Sequence, residues 1–237
     1  MKQFLTISII SIILGSCNSG ETSKNVRTTE KQLAETDNSQ NQKDTFSIYI
    51  DTLHQVELKA LKNDSFKFSQ FYEVNSSSNL IYHEKGKINT DNSQFGLSLY
   101  SVNDTTIRVE LLKSLQNQWQ KCDSLNLFNV SFSPAMFYPV YFDFNQNGIN
   151  DILLIFSQSM SVAYNHGYLI LFSEETEKLI LMENSFDIPN LEVVNNKIVS
   201  VTYNHPGHEP KEYEKTDEYE IKENELILVK SNKKYKK

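Results

Sequence analysis

The chain has 237 residues, 39% of them hydrophobic, with a formal net charge of -7 and an isoelectric point near 5.3. That length and apolar content are enough for one sizeable core, and favour one domain over two. The acidic balance argues against nucleic acid or an anionic membrane surface as the main partner, and fits either a cationic partner or plain solubility.

In chain order, the first segment carries a basic residue, Lys2, then an apolar run from Phe4 to Leu14, then small residues before Cys17. This is the layout of an export signal. The apolar run is shorter than the roughly 20 residues that cross a bilayer, and no later stretch approaches that length. Leu14, Gly15, Ser16 and Cys17 resemble the lipobox of bacterial lipoproteins, where a peptidase cuts before the cysteine that receives diacylglycerol. The resemblance implies that residues 1–16 are removed as a signal peptide and that lipid on Cys17 anchors the chain in the cell envelope. Several acyl chains hold far better than a single myristoyl group. Asn18 differs from the aspartate that marks inner-membrane retention in some Gram-negative bacteria, which points to the outer membrane, facing the periplasm or the surface. With Cys17 acylated, Cys122 has no partner for an intramolecular disulfide and reads as a small buried hydrophobe.

From Asn18 to Asp44 the chain is dominated by Ser, Thr, Asn, Gln, Lys and Glu, with few apolar residues to offset the entropy of ordering. Residues 17–44 are therefore expected to be a flexible tether, reaching roughly 30 Å as a random coil. Residues 45–230 read as a single β-rich domain. The runs FSIYI, FKFSQFYEV, FGLSLYSV, TIRVEL, VYFDF, DILLIF, YLILF, KIVSVTY, YEIKEN and ELILVK are rich in β-branched and aromatic residues, and turn-formers separate them. The fold class is all-β, with fourteen Phe and twelve Tyr suggesting stacked antiparallel sheets with aromatic inner faces, or a β-propeller-like arrangement. YEIKENELILVK predicts a hairpin turned at Glu223 to Glu225. Ile107, Leu111, Leu115 and Trp119 recur every four residues, a helical spacing, so residues 107–119 stay open between helix and strand. Residues 231–237 are expected to be a solvated basic tail.

One motif carries chemistry. From Asp143 to Asp151 the sequence DFNQNGIND places oxygen-bearing side chains at positions 1, 3, 5 and 9 around a glycine at 6, the spacing of an EF-hand-like calcium loop. The expected ligands are the side chains of Asp143, Asn145, Asn147 and Asp151 and the carbonyl of Ile149, with Gly148 making the sharp turn. Only two of these are acidic, and Leu154 stands where an EF-hand has its bidentate Glu. Affinity should fall near 10⁻⁴ to 10⁻³ M, as in extracellular modules, so the expected cofactor is a structural Ca²⁺. The competing reading is an Asn-Gly-rich turn between VYFDF and DILLIF.

The strand, D-x-N-x-N-G-x-x-D and the apolar strand after it resemble the loops of FG-GAP and VCBS-type propeller repeats, although the motif occurs once here. The chain is more closely similar to small envelope lipoproteins with a propeller-like β fold and one such loop, which include immunity proteins against peptidoglycan-cleaving effectors. In those, the loop is followed by an aromatic strand, an "LF" run and a late lysine-led strand, which here would be Tyr168 to Phe172 and Lys197 to Tyr203, with a closing hairpin at Tyr219 to Lys230. The resemblance implies a non-enzymatic inhibitor whose protein partner is a peptidoglycan hydrolase or effector, engaged by loops that enter its cleft.

Candidate contacts are Tyr164, His166 and Tyr168, and Tyr203, His205 and His208, because aromatic and His-bearing loops make good anchors. Tyr164-Asn165-His166-Gly167 is echoed by Tyr203-Asn204-His205-Pro206-Gly207. His205, His208 and Glu209, with His166, could also face a zinc ion, but Pro-Gly between the histidines does not match the spacing of zinc motifs. No G-x-S-x-G elbow, P-loop, dinucleotide fingerprint or H-E-x-x-H occurs, so the chain reads as a binding module and not an enzyme. A calcium-dependent glycan-binding or adhesion lipoprotein, and an unrecognised hydrolase, are the alternatives.

Overall fold

The computed structural model describes residues 38–74, 77–130, 135–159, 164–204 and 211–235. The expected signal peptide, Cys17 and most of the expected tether lie outside the described residues. Two units are distinguished, Met1–Asn41 and Gln42–Lys237. Of the first, the described part is the opening of one helix, α1 (Asn38–Leu61); everything below concerns the second.

Among the described residues thirteen strands follow α1 and form three antiparallel meanders. The first sheet holds β1 (Phe66–Val74), β2 (Ser77–Thr90), β3 (Ser93–Asn103), β4 (Thr106–Leu115) and β5 (Gln118–Phe128). The middle sheet holds β6 (Tyr138–Phe142), β7 (Asp151–Ser159), β8 (Tyr164–Ser173) and β9 (Lys178–Leu181). The last holds β10 (Leu191–Val194), β11 (Lys197–Asn204), β12 (Tyr213–Lys222) and β13 (Glu225–Tyr235). Within each sheet, neighbours in space are neighbours in sequence.

Side-chain alternation explains the stacking. On β7, Ile152, Leu154 and Phe156 join Leu97, Leu99, Ile107, Val109 and Leu127 of the first sheet in one core cluster. The intervening Leu153 and Ile155, with Leu169 and Leu171 of β8, pack with Leu191, Ile198 and Leu226 of the last sheet. The middle sheet is thus buried on both faces, which is why DILLIF and YLILF are unbroken apolar runs. The all-β expectation holds in its stacked antiparallel form, and among the described residues no sheet closes into a barrel or a propeller ring.

Several local expectations change, and one left open is decided. FSIYI, read as a strand, lies inside α1, and the helix begins at Asn38, within the segment expected to be a tether through Asp44. The reason is visible at longer range: Tyr49, Leu53, Val56 and Ala60 are all buried, and their spacing of four, three and four is helical. Tyr49 and Leu53 pack with Ile81, Phe68, Tyr72 and Tyr100 on the outer face of the first sheet. Residues 107–119 are strand, turn, strand: β4 and β5 meet at Gln116 and Asn117, whose φ values of 47° and 63° make a two-residue hairpin turn. A four-residue spacing is also a multiple of two, so the apparent helical period was equally a strand face.

The basic tail is strand as far as Tyr235, with Ser231 opposite Asp217 and Tyr235 opposite Tyr213. The hairpin at Glu223 forms as expected, with Lys222 opposite Glu225 and Glu223 at φ 56°. Cys122, expected to be buried, is half-buried at the edge of the first cluster. Its Sγ lies 3.7 Å from Glu177 Oε2, and burial followed by that carboxylate raises the thiol's pKa, keeping it protonated.

Candidate metal loop and contact surface

The loop between β6 and β7 is held by its own side chains. Asp143 Oδ1 accepts from the Asn147 N–H at 2.9 Å and Oδ2 from the Gly148 N–H at 2.8 Å. Asn145 Oδ1 accepts from the same Asn147 N–H at 3.1 Å, and Asn147 Oδ1 from the Ile149 N–H at 2.9 Å. These Asx-type bonds curl the backbone so that Asp143 and Asn145 flank one N–H. Gly148 sits at φ +88° with open space where a Cβ would go, so the glycine is needed for conformation and not for room.

Asp151 is the keystone. Its carboxylate is fully excluded from solvent, with Oδ2 accepting from the Phe144 and Asn145 N–H groups at 2.9 and 3.2 Å, and Oδ1 from the Phe172 N–H of β8 at 2.8 Å. Burial pushes its pKa up to about 6, against the pull of those three N–H groups, and Asp143 adds to the rise. Phe144 and Ile149 drop into the two core clusters on either side.

The loop's amides reach further. Asn150 Nδ2 donates to Lys87 O of β2 at 2.8 Å, Asn147 Nδ2 to Phe172 O at 3.4 Å, and Gln146 Nε2 to Asn196 O, in the turn between β10 and β11, at 2.6 Å. One nine-residue loop therefore touches all three sheets. The side-chain oxygens of Asp143, Asn145 and Asn147 each keep lone pairs beyond the backbone bonds, which is the donor set a hard cation takes. Among the described residues no three His, Cys, Asp or Glu side chains are grouped so as to hold a metal ion, so a cation in this loop would rest on the amide and backbone oxygens as well as on Asp143.

The expected contact residues divide. Tyr164 Oη donates to Tyr203 O at 2.7 Å and accepts from Tyr203 N–H at 3.1 Å, clamping β11 to β8. His166 Nδ1 is 3.0 Å from Phe186 O, and Tyr168 Oη donates to Phe128 O at 2.8 Å while its ring stacks on Phe186 at 4.7 Å. Tyr164, His166 and Tyr168 are half-buried braces. Tyr203 is 43% exposed. His205 and His208 lie outside the described residues.

Sequence reasoning missed the face beside Tyr203. Tyr138, Val140 and Phe142, alternate residues of edge strand β6, are exposed. Tyr138, Val140 and Tyr203 border a cleft of about 290 Å³ floored by Leu153 and Ile155, with Asn165 and Asn190 at its side. YPVYF carries the alternation, but nothing in it says that its outer face stays uncovered.

No family model matches the chain, and no curated protein matches it. Among solved structures, the chain is similar to one described as a Xanthomonas type IV secretion system related protein, at 14% identity and a TM-score of 0.37, over 72% of this chain and 92% of that one.

Proposed function

We propose that the chain is a lipid-anchored protein of the cell envelope whose β head is a non-catalytic binding module, stabilised by Ca²⁺ in the Asp143–Asp151 loop, and that it inhibits a peptidoglycan hydrolase in the manner of an immunity protein. The observation that carries this reading is the loop itself. Its oxygens have the EF-hand-like spacing, and its amides bond to all three sheets, so an ion bound there would brace the whole head. Exposed aromatics around the cleft, Tyr138 and Tyr203, supply anchors for a protein partner, and the net charge of -7 suits a cationic one.

Thermal melting with EDTA and with 10 mM calcium tests the ion. With Kd near 1 mM, calcium should add about 1.4 kcal/mol and raise Tm by roughly 3 to 5 °C. An unchanged Tm at that concentration removes the calcium claim. The partner is tested by adding purified head to a panel of lysozyme-type hydrolases acting on cell walls, and failure to slow any of them removes the inhibitor claim. The aromatic cleft with amides at its side also favours a glycan ligand, which glycan-array binding without hydrolase inhibition would select. Anchoring is tested by labelling with a fatty-acid probe, which Cys17→Ser should abolish.

A further inference from the structure

Beneath α1 lies a buried polar group that the metal loop and the cleft do not use. His83 of β2 is fully buried, with Nδ1 2.9 Å from Ser98 Oγ. Ser98 in turn donates its hydroxyl proton to Glu57 Oε1 of α1 at 2.6 Å. Since that proton is committed to Glu57, Nδ1 must be the donor towards Ser98, and the neutral ring keeps a bare lone pair on Nε2. Nε2 is buried without a partner. The ring is packed against Trp119 at 5.6 Å and Phe66 at 6.2 Å, and a Cβ added at Gly96 would come within 2.9 Å of both His83 Cε1 and Trp119.

Two further side chains fasten the helix at the same place. Trp119 Nε1 donates to Glu57 O at 2.7 Å. Lys85, 3% exposed, caps the helix end, with Nζ 2.7 Å from Asn63 O and 3.4 Å from Ala60 O. The charged group acting on His83 itself is Lys85 from β2, and its relay partner Glu57 on α1 is faced in turn by His54 from α1 and by Glu110 from β4, which is paired with Arg108 and Lys121. Ser98 comes from β3, and β1 contributes only rings here.

We propose that α1 is a latch opened by acid: protonation of His83 drives the ring out from under the helix and releases residues 49–61 from the first sheet, while the three sheets stay stacked. The sheets do not need α1 for their own cores, because both large clusters are built without any α1 residue. A protonated His83 would carry an N–H with no acceptor and a positive charge beside Lys85. Burial first, then Lys85, lowers its pKa from 6.5 to about 4. The sign follows: the docked state is fully favoured above the released state's value near 6.5, and loses that advantage as pH falls towards 4. Burial raises the Glu57 pKa, so protonation of Glu57 in acid favours the docked state and offsets part of the His83 effect, which is the larger driver of release.

Trp119 is the chain's sole tryptophan and bonds directly to α1, so its fluorescence reports the latch. The full chain titrated from neutral pH into acid should show a Trp119 transition between pH 6.5 and about 4 while the far-ultraviolet β signal holds. In His83→Gln that transition should move down by roughly one unit or more, or vanish. Tryptophan and β signals collapsing together, or an unmoved midpoint in His83→Gln, would overturn the proposal. If His83→Gln does not fold, the imidazole resonance of His83 in the unaltered chain decides: its titration should coincide with the Trp119 midpoint, and titration without a Trp119 change would overturn the latch.

Discussion

Asp151 and His83 occupy equivalent situations and are treated in opposite ways. Each is fully excluded from solvent within a sheet, and each lies between packed layers. Asp151 receives three backbone N–H groups on two oxygens, which tie the loop at Phe144 and Asn145 to β8 at Phe172. His83 has one hydroxyl on one nitrogen and nothing on the other. A buried polar group whose bonds are complete specifies one structure, whereas one half-satisfied is stable only in a particular protonation state. The same low dielectric makes the first a rivet and the second a condition.

Breaking the rivet should have the largest effect. Asp151→Ala leaves the N–H groups of Phe144, Asn145 and Phe172 unpaired in the core, and should cost about 3 to 5 kcal/mol in urea denaturation. Asp151→Asn keeps an acceptor oxygen and should cost clearly less. If both cost the same, the carboxylate is not what ties β8 to the loop. For His83 the probe is pH. Its depressed pKa contributes nothing unfavourable above 6.5 and about 3 kcal/mol against the docked state by pH 4, so stability measured through Trp119 should fall across that window. Asp143→Ala comes next. It removes acceptors from Asn147 and Gly148 in a half-exposed turn, worth about 1 to 2 kcal/mol without calcium, and should also erase any stabilisation that calcium gives. A calcium increment that survives Asp143→Ala would place the ion elsewhere.

How much of this was legible follows from the range of the signal. The middle sheet was plain because burial on both faces leaves unbroken apolar runs, and DILLIF and YLILF can hardly be anything else. The turn from Asp143 to Asp151 was plain because its hydrogen bonding is local: every Asx bond spans two to five residues. The helix was not, because FSIYI is five residues of good strand former, and the helical face appears only when Tyr49 is read together with Leu53, Val56 and Ala60. Ile107 to Trp119 was ambiguous for an arithmetical reason, since a period of four satisfies both a strand face and, nearly, a helix face. His83 gave no sign at all. Its partners Ser98 and Glu57 are 15 and 26 positions away, and only the pairing of β2 with β3 and the docking of α1 bring them together.

The contact surface shows the same contrast between fastened and free groups on a smaller scale. Tyr164 and Tyr203 look alike in sequence, each followed by Asn-His, yet one ring clamps the other's backbone. Tyr164→Phe should therefore cost about 1 kcal/mol of stability by removing both bonds to Tyr203. Tyr203→Ala should cost less than about 0.5 kcal/mol, because its ring is exposed and its backbone is held by Tyr164 whatever side chain it bears. Binding should rank the two in reverse. If Tyr203 is an anchor, its loss should weaken a partner by about 2 kcal/mol, roughly thirtyfold, in titration calorimetry, while Tyr164→Phe changes affinity by less than threefold. Equal losses at both positions would mean that the partner reads the shape of the β11 backbone and not the ring, and the anchor would then have to be sought at Tyr138 and Phe142 on β6.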